Sequence, residues 1–128
     1  MVEIHNFELH YPYIAKKVVA YNDRGWGELL VKLEDGRFLL YDDVEHTIRY
    51  LPKDPDNLTK EECAREFGIR LQRMMDRRHV TQCDLSDITG IPQPLISHYT
   101  NGLTLPTFYN IDKIAKALNC SVDEFRYI

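Results

Sequence analysis

The stretch Thr81-Gln-Cys-Asp-Leu-Ser-Asp-Ile-Thr-Gly-Ile-Pro-Gln-Pro-Leu-Ile-Ser-His-Tyr-Thr-Asn-Gly102 decides the fold of the second half of this 128-residue chain. Its first four residues are typical of a helix start, and Gly90 supplies a left-handed helix stop. A second short helix follows from Pro92 or Gln93 and ends at the final Asn-Gly pair. The spacing therefore predicts two short helices over about 82–101, joined by a tight turn that holds them at a steep angle.

Further helices flank this pair. Thr59-Lys-Glu-Glu62 fits a capping box, and an apolar stripe follows it to about His79. A later helix is predicted from about Thr107 to Leu118, and a second capping box, Ser121-Val-Asp-Glu124, opens a last helical turn. Residues 59–128 are thus predicted to form a five-helix bundle. The residues expected to face its core are Cys63, Phe67, Leu71, Met74, Leu85, Ile88, Ile96, Tyr99, Phe108, Ile111, Ile114, Ala115, Leu118, Val122 and Phe125.

The first segment, residues 1–58, looks β-rich. Aliphatic and β-branched runs at 17–21, 28–33 and 37–41 are separated by turn residues, among them Asp35-Gly36, a strong hairpin signal. Residues 44–50 are interpreted as one or two helical turns. The predicted fold class is α+β: a small N-terminal antiparallel β-meander of three strands, a Pro- and Asp-containing linker near 52–58, and the helical bundle.

Aromatic residues are more numerous in the first segment than a small meander needs for its own core. They include the stretch Phe7-Glu-Leu-His-Tyr-Pro-Tyr13 together with Tyr21, Trp26, Phe38 and Tyr41. Two interpretations stay open. The aromatics pack against the helical domain, or they form a surface for a homodimer or another protein, since aromatics are enriched at interfaces.

Charge is distributed unevenly between the two parts. The formal net charge is −4, and residues 1–58 carry all of it, with 7 Lys and Arg against 11 Asp and Glu. Residues 59–128 carry 9 of each. The sequence pI of about 5.7 therefore does not exclude nucleic acid as a partner of the second part. The acidic first segment is expected to face away from such a partner.

The second part resembles the Cro/phage-repressor type of helix-turn-helix, the XRE family, and especially the lambda-repressor-like DNA-binding domains. The resemblance covers roughly residues 67–125 and keeps the spacing throughout. The residues that carry it are Thr81-Gln82, Leu85, Gly90, Gln93, Ile96, Ser97, Asn101-Gly102, Tyr109-Asn110, Pro106, Ala115-Lys-Ala-Leu118 and Ser121-Val-Asp-Glu-Phe125.

The resemblance implies a set of DNA-contacting residues. Gln82, at the start of the second helix of the bundle, would lie at a phosphate and brace Gln93. Gln93 would offer its amide to adenine N7 and N6 in the major groove. Pro94 can make only apolar contact, for instance with a thymine methyl. The remaining DNA-contacting residues implied are Ser97 and His98 on the same helix, and Asn101 and the Leu103-Thr104 loop at the DNA backbone.

The chain departs from the family pattern at two places. Met75 and Thr100 occupy positions where many members have an Arg and a Glu that pair, so both partners of that ion pair are absent together. In addition, the helix that begins near Gln93, which the resemblance implies is the recognition helix, has no Lys or Arg between residues 92 and 101. Attraction to phosphate must then come from residues elsewhere in the second part. The candidates are Arg70, Arg73, Arg77, Arg78, Lys113 and Lys116.

Other kinds of site are not expected. The histidines are not spaced as metal ligands, and Cys83 and Cys120 are interpreted as small apolar helix residues. Glu34-Asp35 and Asp42-Asp43 with Glu45 are interpreted as loop and helix-start acids, not as a catalytic or Mg²⁺ site. No phosphate-binding glycine loop or nucleophile motif is present. We expect no metal, no cofactor and no enzymatic activity.

The sequence favours a cytoplasmic, sequence-specific DNA-binding transcriptional regulator, a repressor of bacterial or phage type. It is expected to bind a double-stranded operator as a homodimer, because a single recognition helix covers few base pairs. The first segment would serve assembly or sensing, and could hold a protein partner. The alternative is a protein-interaction module, such as an antitoxin-like regulator that binds a protein through the helix-turn-helix. No apolar run approaches the ~20 residues of a membrane span.

Overall fold

The computed structural model describes residues 4–25, 27–120 and 122. The chain divides into two compact units, residues 1–57 and residues 58–128, here called the N-terminal unit and the C-terminal unit. No described helix combines the length and apolar character needed to cross a membrane.

The N-terminal unit is an antiparallel sheet preceded by two short helices. The helices are α1 (Ile4–His10) and α2 (Pro12–Ala15), and the strands are β1 (Val18–Gly25), β2 (Glu28–Leu33), β3 (Phe38–Asp42) and β4 (Thr47–Tyr50). The strands pair in sequence order, β1-β2-β3-β4. The predicted antiparallel meander is confirmed, but it has four strands instead of three, and the two helices before it were not predicted.

The prediction of helical turns over residues 44–50 is wrong. The Asp42 carboxylate accepts hydrogen bonds from the backbone N–H groups of Val44 at 2.9 Å and Glu45 at 3.2 Å, which closes a turn directly after β3. His46 then adopts a left-handed φ of 58°. The chain reverses at this point, and its β-branched residues Thr47 and Ile48 pair with β3 as strand β4.

Several aromatic residues of the first segment belong to the core of the N-terminal unit itself, whereas Trp26 lies outside the described residues. Phe7 of α1 is fully buried against the sheet, with its ring centroid 5.2 Å from that of Tyr41 and 5.9 Å from that of Tyr11. Alternate residues of β2, Leu29, Val31 and Leu33, lie in the same cluster. By contrast Tyr13 is 82% exposed. Because Phe7, Tyr11, Tyr21 and Tyr41 pack within the sheet's own core, fewer aromatics exceed its needs than the sequence indicated. Contact of the remaining aromatics with a partner stays a prediction.

The C-terminal unit consists of four described helices, α3 (Lys60–Arg78), α4 (Gln82–Thr89), α5 (Gln93–Thr100) and α6 (Phe108–Ala117). The predicted starts and stops of α3 are confirmed: Thr59 and Glu62 form a capping box, and His79 ends the helix in the left-handed conformation. The predicted fifth helix falls on residues 121–125 and, except for the half-buried Val122, lies outside the described residues. The buried apolar residues of this unit are Ala64, Phe67, Leu71, Met74, Met75, Leu85, Ile91, Ile96, Tyr99, Ile114, Ala115 and Leu118.

Two residues expected in the core lie on the surface instead. Ile88 is 61% exposed and Phe108 is 73% exposed. Both lie near a helix end, Ile88 in the last turn of α4 and Phe108 at the first position of α6. Helical periodicity assigned them correctly to a helix, but an end position can turn toward solvent while the middle of the helix packs.

The approach of α5 to α3 depends on Gly68. A Cβ built on Gly68 would lie 2.6 Å from the Tyr99 carbonyl oxygen and 2.9 Å from the backbone nitrogen of Gly102. These are backbone atoms of the end of α5, which cannot rotate away as a side chain could. The absence of a side chain at this position therefore allows the two helices to come into contact.

We expect Gly68→Ala to destabilise the C-terminal unit. Alanine is the better helix former by about 1 kcal/mol, so propensity alone predicts a gain in stability. Overpacking against backbone atoms costs about 1–3 kcal/mol and reverses the sign. Chemical denaturation of the full chain measures the change, with the partly exposed neighbour Ile69→Ala as the control. An unchanged or raised free energy of unfolding would contradict the close approach.

We expect the stability of the N-terminal unit to fall steeply above pH 10. Burial and a 3.2 Å hydrogen bond from the phenol to Asp43 raise the pKa of Tyr41 from 10.0 to about 12. The folded state therefore holds the phenol proton more tightly than the unfolded state, and this contribution is complete below pH 10 and is lost as the pH rises toward 12. Denaturation of the wild-type chain and of Tyr41→Phe across this range is the measurement. Parallel pH profiles for the two proteins would refute the assignment.

Candidate nucleic-acid interface

The pair α4–α5 is held by a rigid turn. Gly90 ends α4 with a φ of 76°, a conformation in which glycine is free of strain. The Ser86 hydroxyl donates to the Ile91 carbonyl oxygen at 2.6 Å, and the Ile91 N–H donates to the Thr89 hydroxyl at 3.1 Å. Ile91 is itself buried. The turn therefore fixes the position at which α5 begins.

The start of α4 is equally well fixed. Thr81 and Asp84 form a second capping box, in which each side chain accepts from the other's backbone N–H at 3.1 Å. Leu85, one turn later, is completely buried. The first turn of α4 is therefore anchored at both its cap and its core-facing residue.

One face of α5 is buried and the opposite face is exposed. Ile96 and Tyr99 lie in the core, whereas Gln93, Pro94 and His98 are exposed. Ser97 is half-buried, and its hydroxyl oxygen accepts from the Asn101 side-chain amide at 3.3 Å. The predicted DNA-contacting residues of α5 therefore share one accessible surface, which we call the α5 face: Gln93, Pro94, Ser97 and His98.

Gln82 does not make the hydrogen bond to Gln93 that the resemblance implies. Its side-chain N–H donates to the Thr100 hydroxyl at 3.1 Å, and that hydroxyl donates to the Ser97 carbonyl oxygen at 3.1 Å. Gln82 therefore braces the end of α5, not Gln93. Thr100 is one of the two positions at which the family's ion pair is missing. A neutral hydrogen bond joins α4 and α5 there.

Cys83 was interpreted as a small apolar helix residue, and this is wrong. Its side chain is exposed, and the thiol donates to the Gln93 side-chain oxygen at 3.3 Å. The family pattern points to the glutamine at position 82 and carries no information about the residue after it. The available signal was positional: Cys83 occupies the first turn of α4, next to the residue expected to brace Gln93.

The segment after α5 presents the residues expected at the DNA backbone. Asn101 is exposed, and Leu103 is 69% exposed. Thr104 is half-buried, and its hydroxyl lies 3.5 Å from the Leu105 carbonyl oxygen. The Leu103 N–H donates to the His98 carbonyl oxygen at 2.9 Å. This bond holds the loop against the last turn of α5.

The basic residues proposed to attract phosphate differ in accessibility. Arg70 is only 3% exposed, which removes it from the candidates for phosphate contact. Arg73 and Arg77 are half-buried and Arg78 is exposed. The two lysines of α6 have intramolecular partners: Lys113 lies over the Tyr109 ring at 4.3 Å, and Lys116 pairs with Asp112 at 3.0 Å.

Three of the acidic residues of the N-terminal unit accept hydrogen bonds within that unit, and the bonds of Asp42 have been described above. Asp35 accepts from the Arg37 backbone N–H at 3.0 Å and pairs with its guanidinium at 2.7 Å, which together lower the pKa of this carboxyl. Asp43 accepts from the Asn6 side-chain amide at 3.2 Å. Within the described part of the chain, no three His, Cys, Asp or Glu side chains are grouped so that they could hold a metal ion.

A shallow groove of about 360 Å³ lies on the N-terminal unit. Aromatic, aliphatic and charged side chains of the sheet and of the segment after it line the groove. Among them are Tyr21, Leu30, Lys32, Phe38 and Asp54.

Comparison with known proteins bears on the C-terminal unit. A family model described as helix-turn-helix matches residues 69–125, which include α4, α5, α6 and all the predicted DNA-contacting residues. The match confirms the resemblance found in the sequence. Among solved structures, the chain is similar to the restriction-modification controller protein C.AhdI from Aeromonas hydrophila. The two are 24% identical, the match covers 48% of this chain and 94% of that chain, and the TM-score is 0.47. No curated protein sequence matches the chain.

Proposed function

We propose that this chain, which contains a helix-turn-helix domain over residues 69–125, is a sequence-specific DNA-binding transcriptional regulator. The observation that carries the proposal is the α5 face. The core-facing residues Ile96 and Tyr99 fix the orientation of α5, while Gln93, Pro94 and His98 remain accessible. A short helix held in this way by a preceding helix and a tight turn can enter the major groove.

Base reading would start from Gln93. An adenine presents an acceptor at N7 and a donor at N6 in the major groove, and a glutamine amide supplies the matching donor and acceptor. Pro94 would contact a thymine methyl group. The Ser97 hydroxyl accepts from Asn101 and keeps its own proton, so it would donate to a base or phosphate, and His98 would extend the contact along the groove.

Contacts to the DNA backbone would set the register of α5. Gln82 lies at the first position of α4, where backbone N–H groups and the helix dipole favour an anion. Its amide nitrogen carries two protons, so it can bond Thr100 with one and a phosphate oxygen with the other. Asn101 and Thr104 follow α5 and would contact the backbone on the other side.

The regulator would bind its operator as a homodimer and act as a repressor. One recognition helix reads few base pairs, and a second copy on a half-site about one helical turn away supplies the remaining specificity. An occupied operator that overlaps the promoter would exclude the polymerase, and this is the proposed mode of repression. The N-terminal unit would serve assembly or sensing: Leu9 and Tyr13 are 66% and 82% exposed, and its groove of about 360 Å³ has the size of a small-ligand site.

A protein-interaction module is the second candidate. Apolar side chains on the C-terminal unit favour it, since Leu103, Phe108 and Tyr109 are 69%, 73% and 68% exposed. Such a surface suits a protein partner better than a phosphate backbone. This candidate would be favoured over the DNA-binding regulator if a protein co-purifies with the chain in a stoichiometric amount and the complex does not bind DNA. Both candidates are binding functions, and neither requires catalysis.

The proposed function is tested by titration of duplexes selected from a random library. We expect the full chain to prefer a sequence with two half-sites, and the logarithm of its affinity to fall with that of the salt concentration at a slope of about −0.9 per neutralised phosphate. Sedimentation at the same concentrations measures whether two chains bind each duplex. Absence of any sequence preference at low salt would sink the proposal.

Substitution of the two glutamines should separate base reading from backbone contact. Gln93→Ala is expected to lose about 1–3 kcal/mol of discrimination at one base pair of each half-site. Gln82→Ala should weaken all duplexes by a similar factor, because phosphate contacts carry no sequence information. Gln72→Ala on α3 is the matched control and should change neither quantity. Equal loss of affinity for every duplex with Gln93→Ala would remove this residue from base reading.

A further inference from the structure

The Cys83 thiol forms a hydrogen bond to Gln93, the residue expected to read a base. Its sulfur lies 3.3 Å from the side-chain oxygen of Gln93, across the turn between α4 and α5. A thiol is a weak donor and an amide oxygen is a good acceptor, so the S–H group donates. Both partners are exposed, so the bond belongs to the accessible surface of the helix pair.

Gln82 is turned away from this contact. Its amide donates to Thr100 at 3.1 Å, at the opposite end of α5 from Gln93. The Thr100 hydroxyl is fixed in turn by the Ser97 carbonyl oxygen at 3.1 Å. Gln82 therefore does not hold Gln93, because its amide is hydrogen-bonded to Thr100. The thiol of the next residue, Cys83, contacts the Gln93 amide instead.

Cys83 and Gln93 both lie at helix starts that hydrogen bonds hold in place. Cys83 lies in the first turn of α4, which the capping box of Thr81 and Asp84 holds in place. Gln93 is the first residue of α5, and the bond from Ser86 to Ile91 fixes the turn before it. The backbone positions of the two residues are thus fixed, and the hydrogen bond between the thiol and the amide restricts the Gln93 side chain further.

Orientation of the amide decides which base edge it fits. Adenine needs the amide N–H at N7 and the amide oxygen at N6, whereas an amide rotated by half a turn would bring its oxygen against the N7 acceptor. The thiol donor can hold only the orientation with the oxygen toward Cys83. That oxygen keeps a second lone pair, and the amide nitrogen keeps both protons.

We propose that Cys83 is a positioning residue that sets the base preference of Gln93 by orienting its side-chain amide. The inference rests on the proposed DNA-binding function, and it assigns Cys83 no contact of its own with DNA. The role depends on the donor proton of the thiol, so a hydroxyl in its place should preserve it and a methyl group should not.

The experiment measures relative affinity of the full chain for operators that differ only at the base pair read by Gln93. Cys83→Ala should reduce the preference for the favoured base by roughly two- to tenfold, the range of a single hydrogen bond. Cys83→Ser should retain most of the preference. Cys63→Ala, a half-buried thiol on α3, is the matched control. Affinity for unrelated DNA should be the same in all four proteins.

A double-mutant cycle gives the decisive comparison. In a Gln93→Ala background, Cys83→Ala should have no further effect on base preference, because the residue it positions is gone. An unchanged preference in Cys83→Ala overturns the inference, as does an equal loss with Cys83→Ser or a loss that persists in the double mutant. If the wild-type chain itself shows no sequence preference, the proposed function fails instead, which keeps the two failures distinct.

Discussion

The C-terminal unit depends on the close approach of α3 and α5 at Gly68, where an added Cβ would lie 2.6 Å from the Tyr99 carbonyl oxygen. This contact seats the last turn of α5 on backbone atoms of α3, and Phe67 and Tyr99 pack beside it with ring centroids 6.3 Å apart. Because the contact fixes which side of α5 is buried, it also fixes which side is accessible. The α5 face is thus a consequence of packing on the far side of the helix.

The hydrogen bonds around α5 are mostly neutral, and they act at both ends of the helix. Cys83 contacts Gln93 at its start and Gln82 contacts Thr100 at its end. An ion pair at the same place would cost more to desolvate than a hydroxyl and an amide. The neutral contacts are individually weak but directional, so they orient side chains without a strong local field.

Local signals in the sequence predicted the elements that local chemistry controls. The capping residues Thr59 and Thr81 and the stop at Gly90 all act within a few residues, and the structure has helix ends at these places. Helix α1 could not be predicted in this way, because its seven residues are too few to be stable alone. It forms where Phe7 is buried against the sheet, a contact with Tyr41 that spans 34 positions in the sequence.

In the candidate site, too, features that depend on local sequence were predicted and features that depend on tertiary contacts were not. Exposure of Gln93 and His98 followed from helical spacing and the matched motif, whereas the partners of Gln82 and Cys83 depend on side-chain directions that spacing does not specify. Arg70 illustrates the limit for charges: its position on α3 made it a candidate cation, yet tertiary packing buries it. Whether an arginine meets solvent or the core depends on the neighbours that the fold brings to it.

The charge distribution makes the orientation of hydrogen-bonding side chains important for discrimination between DNA sequences by this chain. Residues 59–128 carry equal numbers of basic and acidic residues, Arg70 is buried, and Lys116 is paired with Asp112. Binding of DNA by such a domain would draw little on long-range attraction, which acts on every sequence alike. Discrimination would then rest on donors and acceptors held at the right angle. For discrimination between base pairs, a weak bond that orients one amide would then matter more than an additional surface lysine, which attracts every sequence alike.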